Sequence, residues 1–335
     1  METGKVVVFP HEHAAVLEDF PVPTPGPGQI LVKSAYSCIS AGTERKRYMN
    51  VYADSGVPQR PFPVRPGYAN VGTIVELGPG VDAYQKGERI LTMANHASHY
   101  LRTVDEDAIE RIPPGVASEH AALGVLAQVA LAGVRRAPPE IGQAALVAGQ
   151  GVVGQLVVQF LKASGCTPVI ATDVADFRLE KSKRSGADLT IDAAREDVYV
   201  EVMAATEGKG VERVYDATPV PDALPTNLRV AATRGIIVML GGPMGKAELN
   251  LYADFFRRDL TLMGVYQPLT PTEATPHTPW TQQRHRQLYL TMLQDGALNV
   301  AHLITHIVPP TEATATYAML AAGGENSLGI LFDWR

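Results

Sequence analysis

The sequence contains few charged residues, only two cysteines and no long apolar run. Charged residues make up 19% of the 335 residues, and the formal net charge at pH 7 is −6. This charge gives no electrostatic reason to expect a nucleic acid or an anionic membrane as partner. Every apolar stretch is interrupted by glycine, glutamine or a charged residue before the roughly 18 residues that a membrane span requires. We therefore expect a small-molecule substrate, with no nucleic acid and no membrane as partner.

The low cysteine content excludes further classes of protein. Cys38 and Cys166 are too few for a disulfide framework or for a zinc-binding lobe with four cysteines. We interpret both as small buried apolar side chains. The N-terminus, Met1–Lys5, continues directly into the strand-like run Val6–Phe9, without the basic segment and apolar core of a secretory signal. Together these features predict a cytoplasmic protein.

The first third of the chain is β-rich. Short apolar runs separated by turns of proline and glycine predict strands. These runs are Lys5–Phe9, Gln29–Ala35, Ala69–Leu77 and Arg89–Leu91. After residues 113–115 the composition changes, and the alanine- and leucine-rich stretch Ala117–Ala132 predicts a buried helix.

From Gln143 onward, strand patterns and helix patterns alternate. The predicted strands are Ala144–Ala148, Val169–Thr172, Leu189–Ile191, Arg213–Tyr215, Gly235–Leu240 and Leu260–Gly264. The predicted helices are a segment from Val153 to Leu161, then Phe177–Ser185, Val198–Ala205 and Leu224–Thr233. This alternation predicts an α/β fold with a Rossmann-type, doubly wound parallel sheet of about six strands.

A proline-rich loop, Gln267–Thr281, marks the exit from this sheet. The tail predicts a helix over 284–295, a strand over 303–308, a helix over 311–322 and a strand over 329–332. Because the terminal pieces flank the sheet, we expect a discontinuous domain. We assign 1–126 and 268–335 to a catalytic, substrate-binding domain and 127–267 to a dinucleotide-binding domain.

The strongest motif is a glycine-rich turn after the first strand of the sheet. It fits the pattern G-x-G-x-x-G and consists of Gly149, Gln150, Gly151, Val152, Val153 and Gly154. The glycines permit a tight turn, close approach of the backbone to a pyrophosphate, and close helix–strand packing. The helix that follows directs unpaired N–H groups and a positive dipole end at the phosphates. The turn predicts a dinucleotide site.

Asp173 closes the next strand, at about the interval of 20 residues expected for the ribose-binding acid. A carboxylate there accepts hydrogen bonds from the adenosine ribose and repels a 2′-phosphate, which favours NAD over NADP. Arg178 is the counter-argument, because a nearby guanidinium could pair with that phosphate.

Two later strand ends are further cofactor candidates. Thr218 follows one strand, and Gly241 and Gly242 follow the next. Ligands of open α/β sheets bind beyond the carboxyl ends of the strands, so these residues could line the nicotinamide side. Each is equally explained as an ordinary turn.

The order of these motifs over nearly the whole chain resembles the medium-chain dehydrogenase/reductase superfamily. The likeness includes the turn Pro21–Gly28, the segment Arg65–Gly72, the turn Lys86–Ile90 and the Rossmann motif. The resemblance implies that the discontinuous catalytic domain is GroES-like. It also implies pairing through the cofactor domain, as a homodimer or a tetramer.

The sequence departs from the zinc-dependent members of that superfamily. Aligning Gly42-Thr43-Glu44 with the family's G-T-D segment puts the zinc-ligand positions at Ala41, Tyr68-Ala69 and near Val125. These are not usual zinc ligands. The segment Ser40–Glu44 is similar to the zinc-independent subgroup that includes the hydroxyethyl-bacteriochlorophyllide dehydrogenase. That resemblance implies oxidation of a secondary alcohol.

Without zinc, a side chain must handle the hydroxyl proton. Thr43 lies where the family has a relay hydroxyl, although it could instead cap a helix. Glu44 and Lys46 could tune the relay, or form a solvated helix start. Tyr68 could bond the substrate oxygen, or simply pack. His96 could shuttle the proton, and the nearby His99 is a weaker candidate.

These observations leave three hypotheses. The first is a zinc-independent, NAD-dependent oxidoreductase of a secondary alcohol or ketone, with a polyol, sugar-like or hydroxyethyl substrate. The second is an NADPH-dependent reductase of quinones or enones. The third is a nucleotide-binding protein without catalysis.

Overall fold

The computed structural model describes residues 2–52, 61–324 and 326–335. The N-terminal part contains strands β1 (Thr3–Val8), β2 (Val16–Pro21) and β3 (Gln29–Cys38), helix α1 (Ala41–Tyr48), strands β4 (Asn70–Leu77), β5 (Arg89–Thr92), β6 (His99–Thr103) and β7 (Ile109–Arg111), and helices α2 (Ser118–Ala121) and α3 (Gly124–Arg136).

The middle part alternates strand and helix as the sequence predicts. It contains β8 (Ala145–Ala148), α4 (Val152–Ala163), β9 (Val169–Asp173), α5 (Asp176–Arg184), β10 (Leu189–Asp192), α6 (Val198–Ala205), β11 (Val211–Asp216), α7 (Ala223–Val230), β12 (Ala231–Met239) and β13 (Thr261–Gly264). The C-terminal part contains α8 (Gln282–Gln294), β14 (Ile304–Val308), α9 (Ala313–Ala321) and β15 (Gly329–Asp333).

The described chain divides into two compact units. Unit 1 contains the chain up to Leu126 together with Gln282–Gly296 and Ile304–Arg335, and unit 2 contains Ala127–Thr281 and Ala297–Leu303. The sequence assigns 268–281 and 297–303 to the catalytic domain, whereas both lie in unit 2. Side-chain contacts explain this: Trp280 stacks on Arg135 of α3, and Asn299 exchanges two hydrogen bonds with Gln159 of α4. The functional roles of the two domains stay predictions.

Within the described residues, unit 2 is built on a six-stranded parallel sheet in the order β10-β9-β8-β11-β12-β13. Its central strand β8 is fully apolar and buried on both faces, as expected when helices cover both sides. The predicted α/β fold is confirmed. None of the helices in the described ranges is long and apolar enough to cross a bilayer.

Unit 1 is β-rich. Seven strands of its described residues form a sheet in the order β14-β15-β3-β4-β5-β7, with β6 paired to β3, and β1 pairs with β2 separately. An aromatic cluster that includes Phe9, Tyr48, Tyr317 and Phe332 is buried beside α1 and α9. Tyr48 is the last residue of α1, so this cluster anchors the helix on which Thr43, Glu44 and Lys46 lie.

Two predicted helices have different bounds in the structure. The stretch 117–132 forms two helices, because α2 ends at Ala121 and α3 begins at Gly124. The helix predicted to Thr233 ends at Val230. Ala231 adopts an extended conformation there and pairs with Val211 of β11, so the backbone has already entered the sheet.

Candidate active site

The predicted nucleotide turn joins β8 to α4. A Cβ added to Gly154 would lie 1.9 Å from the carbonyl oxygen of Gly149, so only glycine lets the helix begin this close to the turn. A Cβ added to Gly151, the N-cap of α4, would meet no atom within 4 Å. Open space therefore lies at the amino end of a 12-residue helix, whose first N–H groups have no acceptor within the helix. This arrangement fits a bound pyrophosphate.

Asp173, the last residue of β9, lies beside this turn with its carboxylate held by the backbone. Its Oδ2 accepts from the N–H of Gln150 at 2.6 Å, and its Oδ1 accepts from Val174 and Ala175 at 2.8 and 3.0 Å. Because each oxygen has two acceptor positions, Oδ2 retains one for a ribose hydroxyl. Nη1 of Arg178 is 3.9 Å from Oδ2, at the outer limit of an ion pair.

Gln150 has a structural role that the motif does not reveal. Its side chain is fully buried, donates from Nε2 to the carbonyl oxygen of Val147 at 2.7 Å, and accepts from Oγ of Ser182 at 2.9 Å. The amide is thus fixed at both ends. The backbone N–H that orients Asp173 belongs to this same residue, so Gln150 ties the turn to the ribose-binding acid.

A buried polar network continues from there to a remote segment. Gln155 donates to Ser182, and Ser185 donates to Oε1 of Gln155 at 2.7 Å. Nε2 of His302 lies 2.9 Å from the Ser185 hydroxyl. Burial and nearby cations lower the pKa of His302 to about 4, so the ring is neutral at physiological pH. In the sequence, this network is indicated by Gln155, a glutamine among the apolar residues of α4.

The structure brings the other cofactor candidates to one edge of the sheet. Thr218 follows β11 and donates its N–H and its hydroxyl to Oδ1 of Asp216, at 2.9 and 2.7 Å. A Cβ added to Gly241 would lie 1.8 Å from the carbonyl oxygen of Thr218, and one added to Gly149 would lie 2.9 Å from its methyl group. Thr218 therefore lies between the glycine turn and the end of β12, where Gly242 follows.

In unit 1, three hydroxyl groups meet at the start of α1. The Tyr68 hydroxyl donates to Oγ of Ser40, and it is also hydrogen-bonded to the Thr43 side chain. Tyr68 is partly buried and Thr43 is exposed, so the group is open to solvent on one side. We call Tyr68, Ser40 and Thr43 the hydroxyl cluster.

Burial raises the pKa of Tyr68 to about 12, although its hydrogen bonds to Ser40 and Thr43 act in the opposite direction. Tyr68 is therefore protonated in the neutral range and acts as a hydrogen-bond donor. Thr43 is the third residue of α1, and the N-cap is Ser40, so the Thr43 hydroxyl is not the N-cap group of this helix.

The N-cap of α1 is Ser40, yet its side chain makes no cap hydrogen bond. Glu44 replaces it, because its Oε1 accepts from the Ser40 N–H at 2.7 Å. This contact resembles one half of a capping box. It leaves the Ser40 hydroxyl available to accept from Tyr68.

Glu44 and His96 lie together in the interior, with 3% and 0% exposure. His96 Nε2 is 2.9 Å from Oε2 of Glu44, and the Tyr317 hydroxyl donates to the same oxygen at 2.5 Å. Glu44 is therefore not part of a solvated helix start. Sequence spacing could not predict this contact, because Tyr317 and His96 are both far from Glu44 along the chain.

Two candidates, Lys46 and His99, remain. Burial lowers the pKa of Lys46, which follows on α1. His99 lies on β6, with Nδ1 3.0 Å from the Ser98 hydroxyl, and burial lowers its pKa. Both cysteines are buried and unpaired thiols, as expected.

Comparison with known proteins places this geometry in a family. Residues 26–139 match the model described as alcohol dehydrogenase GroES-like domain, and residues 152–277 match the one described as zinc-binding dehydrogenase. The L-threonine 3-dehydrogenase of Pyrococcus horikoshii is 30% identical over 327 residues, which cover 88% of each chain. The D-guloside 3-dehydrogenase of Escherichia coli is 27% identical, over 74% of this chain and 71% of that protein.

Among solved structures, 2R,3R-butanediol dehydrogenase from Bacillus subtilis superposes with a TM-score of 0.83 at 20% identity, covering 98% of this chain and 99% of that one. The chain belongs to the medium-chain dehydrogenase/reductase superfamily. It is an enzyme, and its chemistry is that of an oxidoreductase.

The family includes zinc enzymes, so the residues at the zinc-ligand positions are compared with the ligands that zinc requires. The structure has Ala41 and Tyr68 there, and the Tyr68 hydroxyl is protonated and bonded to Ser40. Nowhere in the described ranges do three or more His, Cys, Asp or Glu side chains group in a way that could hold a metal ion. These residues do not fit a zinc site, which needs three protein ligands.

Proposed function

We propose that the chain is a zinc-independent, NAD-dependent dehydrogenase of secondary alcohols. The hydroxyl cluster is the observation that carries this proposal. A protonated tyrosine occupies a position where zinc-dependent relatives have a ligand, and two further hydroxyls are bonded to it. A donor hydrogen bond to the substrate oxygen then does the work that Lewis-acid zinc does in those relatives.

The proton path follows from the hydrogen bonds of Tyr68. As the alcohol O–H transfers its proton to the Tyr68 oxygen, Tyr68 passes its own proton to one of the two neighbouring hydroxyls, so no phenolate has to form. Exposed Thr43 connects the cluster to water, which takes up the released proton. The C–H bond breaks with its electron pair, and a C=O bond forms. Bound NAD supplies the acceptor for that hydride.

The reverse reaction uses the same groups. In the reduction of a ketone, the protonated Tyr68 hydroxyl bonds the carbonyl oxygen and donates its proton as the hydride arrives. Because the pKa of Tyr68 is raised to about 12, the donor form is retained throughout the neutral range. The cluster therefore suits reduction at least as well as oxidation.

The choice of NAD rests on Asp173. Three backbone N–H groups fix its carboxylate beside the glycine turn, and one acceptor position on Oδ2 remains for a ribose hydroxyl. A negative charge held there opposes a 2′-phosphate. Nη1 of Arg178 lies 3.9 Å from that carboxylate, at the outer limit of an ion pair.

The substrate class is a small secondary alcohol with a polyol, sugar-like or hydroxyethyl group. The relatives support this class, since L-threonine carries a hydroxyethyl side chain, butanediol is a polyol and a guloside is a sugar derivative. We also propose a homodimer that pairs through unit 2. Strand β13 ends the sheet, and the segment around it exposes large apolar side chains: Leu251, Tyr252, Phe256, Leu262, Tyr266 and Leu269.

The test is turnover of a panel of secondary alcohols that includes L-threonine and 2R,3R-butanediol, followed through NADH absorbance. We expect activity with NAD, and we expect Tyr68→Phe to lower kcat by about 100-fold or more. NADH affinity should not change, because Tyr68 is not among the residues that would hold the nucleotide. Loss of activity with NADH binding intact supports the relay, whereas unchanged kcat in Tyr68→Phe contradicts it. Absence of turnover over the whole panel would contradict the proposed substrate class.

A further inference from the structure

Glu44 and His96 cannot contact a substrate, because neither side chain reaches the surface. Their side chains are 4% and 0% exposed. Their partners are other buried groups: Tyr317 on α9 bonds Glu44, and Ser37 on β3 bonds His96. A direct catalytic role is therefore excluded by position, and the question is what this pair does for the hydroxyl cluster.

The hydrogen bonds around the pair can all be satisfied at once. Trp334 Nε1–H donates to Oγ of Ser37 at 2.8 Å, and Ser37 lies 2.7 Å from Nδ1 of His96. Because an indole N–H is only a donor, the Ser37 hydroxyl accepts from Trp334 and is able to give its own hydrogen to Nδ1. His96 then carries its proton on Nε2 and donates to Glu44. The Glu44 carboxylate accepts from His96, from Tyr317 and from the Ser40 backbone.

Each member of the pair contacts a different segment of the hydroxyl cluster. Glu44 holds the backbone N–H of Ser40 at 2.7 Å. The His96 backbone N–H donates to the carbonyl oxygen of Pro66 at 2.9 Å, and its ring packs on Gly67, the residue before Tyr68. A Cβ on Gly67 would lie 2.7 Å from Cγ of His96, and φ of Gly67 is +93°, so no other residue allows this contact.

We propose that the buried Glu44–His96 pair is a positioning unit that fixes the Ser40 segment and the Tyr68 segment at hydrogen-bonding distance. The inference deepens the proposed function and rests on it, because the pair acts only through the cluster. Proton transfer between hydroxyls requires a short, aligned hydrogen bond, and a displacement of about 1 Å is costly. The pair joins the two segments by a single buried contact of 2.9 Å.

Glu44→Gln is the direct test. In this arrangement all three neighbours of Glu44 are donors, so the amide NH₂ of glutamine either opposes one of them or forces a neighbouring proton to move. The first readout is the 13Cζ resonance of Tyr68 in protein labelled with 13C-tyrosine, assigned by its absence in Tyr68→Phe. We expect this resonance to shift in Glu44→Gln, because the hydrogen bond to Ser40 is disturbed. An unshifted resonance overturns the proposal. This readout needs no substrate.

The second readout is kinetic, with NAD and 2R,3R-butanediol as probe. We expect Glu44→Gln to lower kcat at least about tenfold, with NADH affinity unchanged. When Tyr68→Phe is already present, Glu44→Gln should lower kcat by less than about twofold. Equal costs in the two backgrounds would overturn a role through Tyr68. If Tyr68→Phe itself leaves kcat unchanged, the proposed relay fails, while the resonance still decides the positioning.

Glu110→Gln is the matched control. Glu110 is an equally buried carboxylate of unit 1, paired with Arg286 at 2.9 Å and outside the hydroxyl cluster. We expect a lower melting temperature, an unshifted Tyr68 resonance and unchanged kcat. If Glu44→Gln does not fold, Ser37→Ala removes the donor to Nδ1 of His96 and should shift the Tyr68 resonance in the same direction, by less. No shift there would also contradict the proposal.

Discussion

Three backbone N–H groups around Asp173 place its carboxylate at a fixed point beside the glycine turn. A charge that is immobilised in this way discriminates between a ribose hydroxyl and a 2′-phosphate more strongly than a mobile side chain would. Arg178 lies close enough to be attracted to it, which offsets part of the negative potential.

We expect Asp173→Ser to raise the ratio of NADP to NAD affinity by about tenfold or more, because the repulsion is removed and Arg178 becomes free to bind a phosphate. Titration of the variant with both nucleotides measures this ratio. Asp188→Ser is the control, because Asp188 lies before β10 and binds Lys162 and the Val169 N–H. An unchanged preference in Asp173→Ser would remove the ribose assignment.

The roles of some individual residues cannot be predicted from the sequence. The sequence predicts that Tyr68 could bond the substrate oxygen, that Glu44 could tune the relay and that His96 could shuttle the proton. Their division into one surface donor and one buried pair depends on contacts with Ser37, Tyr317 and Trp334. Those partners are distant in sequence, so no local pattern indicates them.

At the scale of elements, the start of α4 is the part that sequence predicts best. Glycine spacing encodes local backbone geometry, and the close approach of Gly154 to Gly149 is a direct consequence of it. The N-terminus of α1, in contrast, is poorly predicted from the sequence. Its cap is supplied by Glu44 rather than by Ser40, because tertiary contacts bury the carboxylate and use the serine hydroxyl elsewhere.

Two alanine substitutions separate folding from nucleotide binding at α4. Gly154→Ala forces a Cβ to within 1.9 Å of a carbonyl oxygen, so we expect a lower melting temperature and weaker NADH binding. Gly151→Ala meets no atom within 4 Å and has an ordinary φ of −68°, so the melting temperature should not change.

NADH binding should nevertheless weaken in Gly151→Ala, because the added methyl group occupies the space that a pyrophosphate needs. Thermal melts and calorimetric titration of both variants check these expectations. Full NADH affinity in Gly151→Ala would show that the phosphates bind elsewhere.

At the scale of the whole molecule, the exposed apolar segment around β13 argues for association of two copies. An edge strand with unpaired backbone groups and apolar neighbours is ordinarily covered by another segment or by a second chain. A two-fold axis lets the same strand pair with itself, which gives a closed dimer.

We expect a solution mass of about twice 35.9 kDa, measured by light scattering. Introducing charge with Leu262→Asp and Tyr266→Asp should give monomers. Val200→Asp, at a half-exposed apolar position on α6, should leave the dimer intact. A wild-type monomer would contradict the proposal.

The division of the chain into a Rossmann sheet and a β-rich unit follows from the sequence because repeated strand–helix patterns and the family's motif order extend over nearly its full length. The assignment of 268–281 and 297–303 could not be predicted in the same way. It depends on contacts such as those between Asn299 and Gln159, which are 140 residues apart and which no local pattern indicates.

Metal analysis combined with turnover shows whether the hydroxyl cluster replaces zinc. The protein is produced with zinc in the medium, its metal content is measured, and oxidation of 2R,3R-butanediol by NAD is assayed before and after treatment with a chelator. We predict well below one zinc per chain and an unchanged kcat after chelation. One zinc per chain, with activity lost on chelation and restored by zinc, would contradict the account.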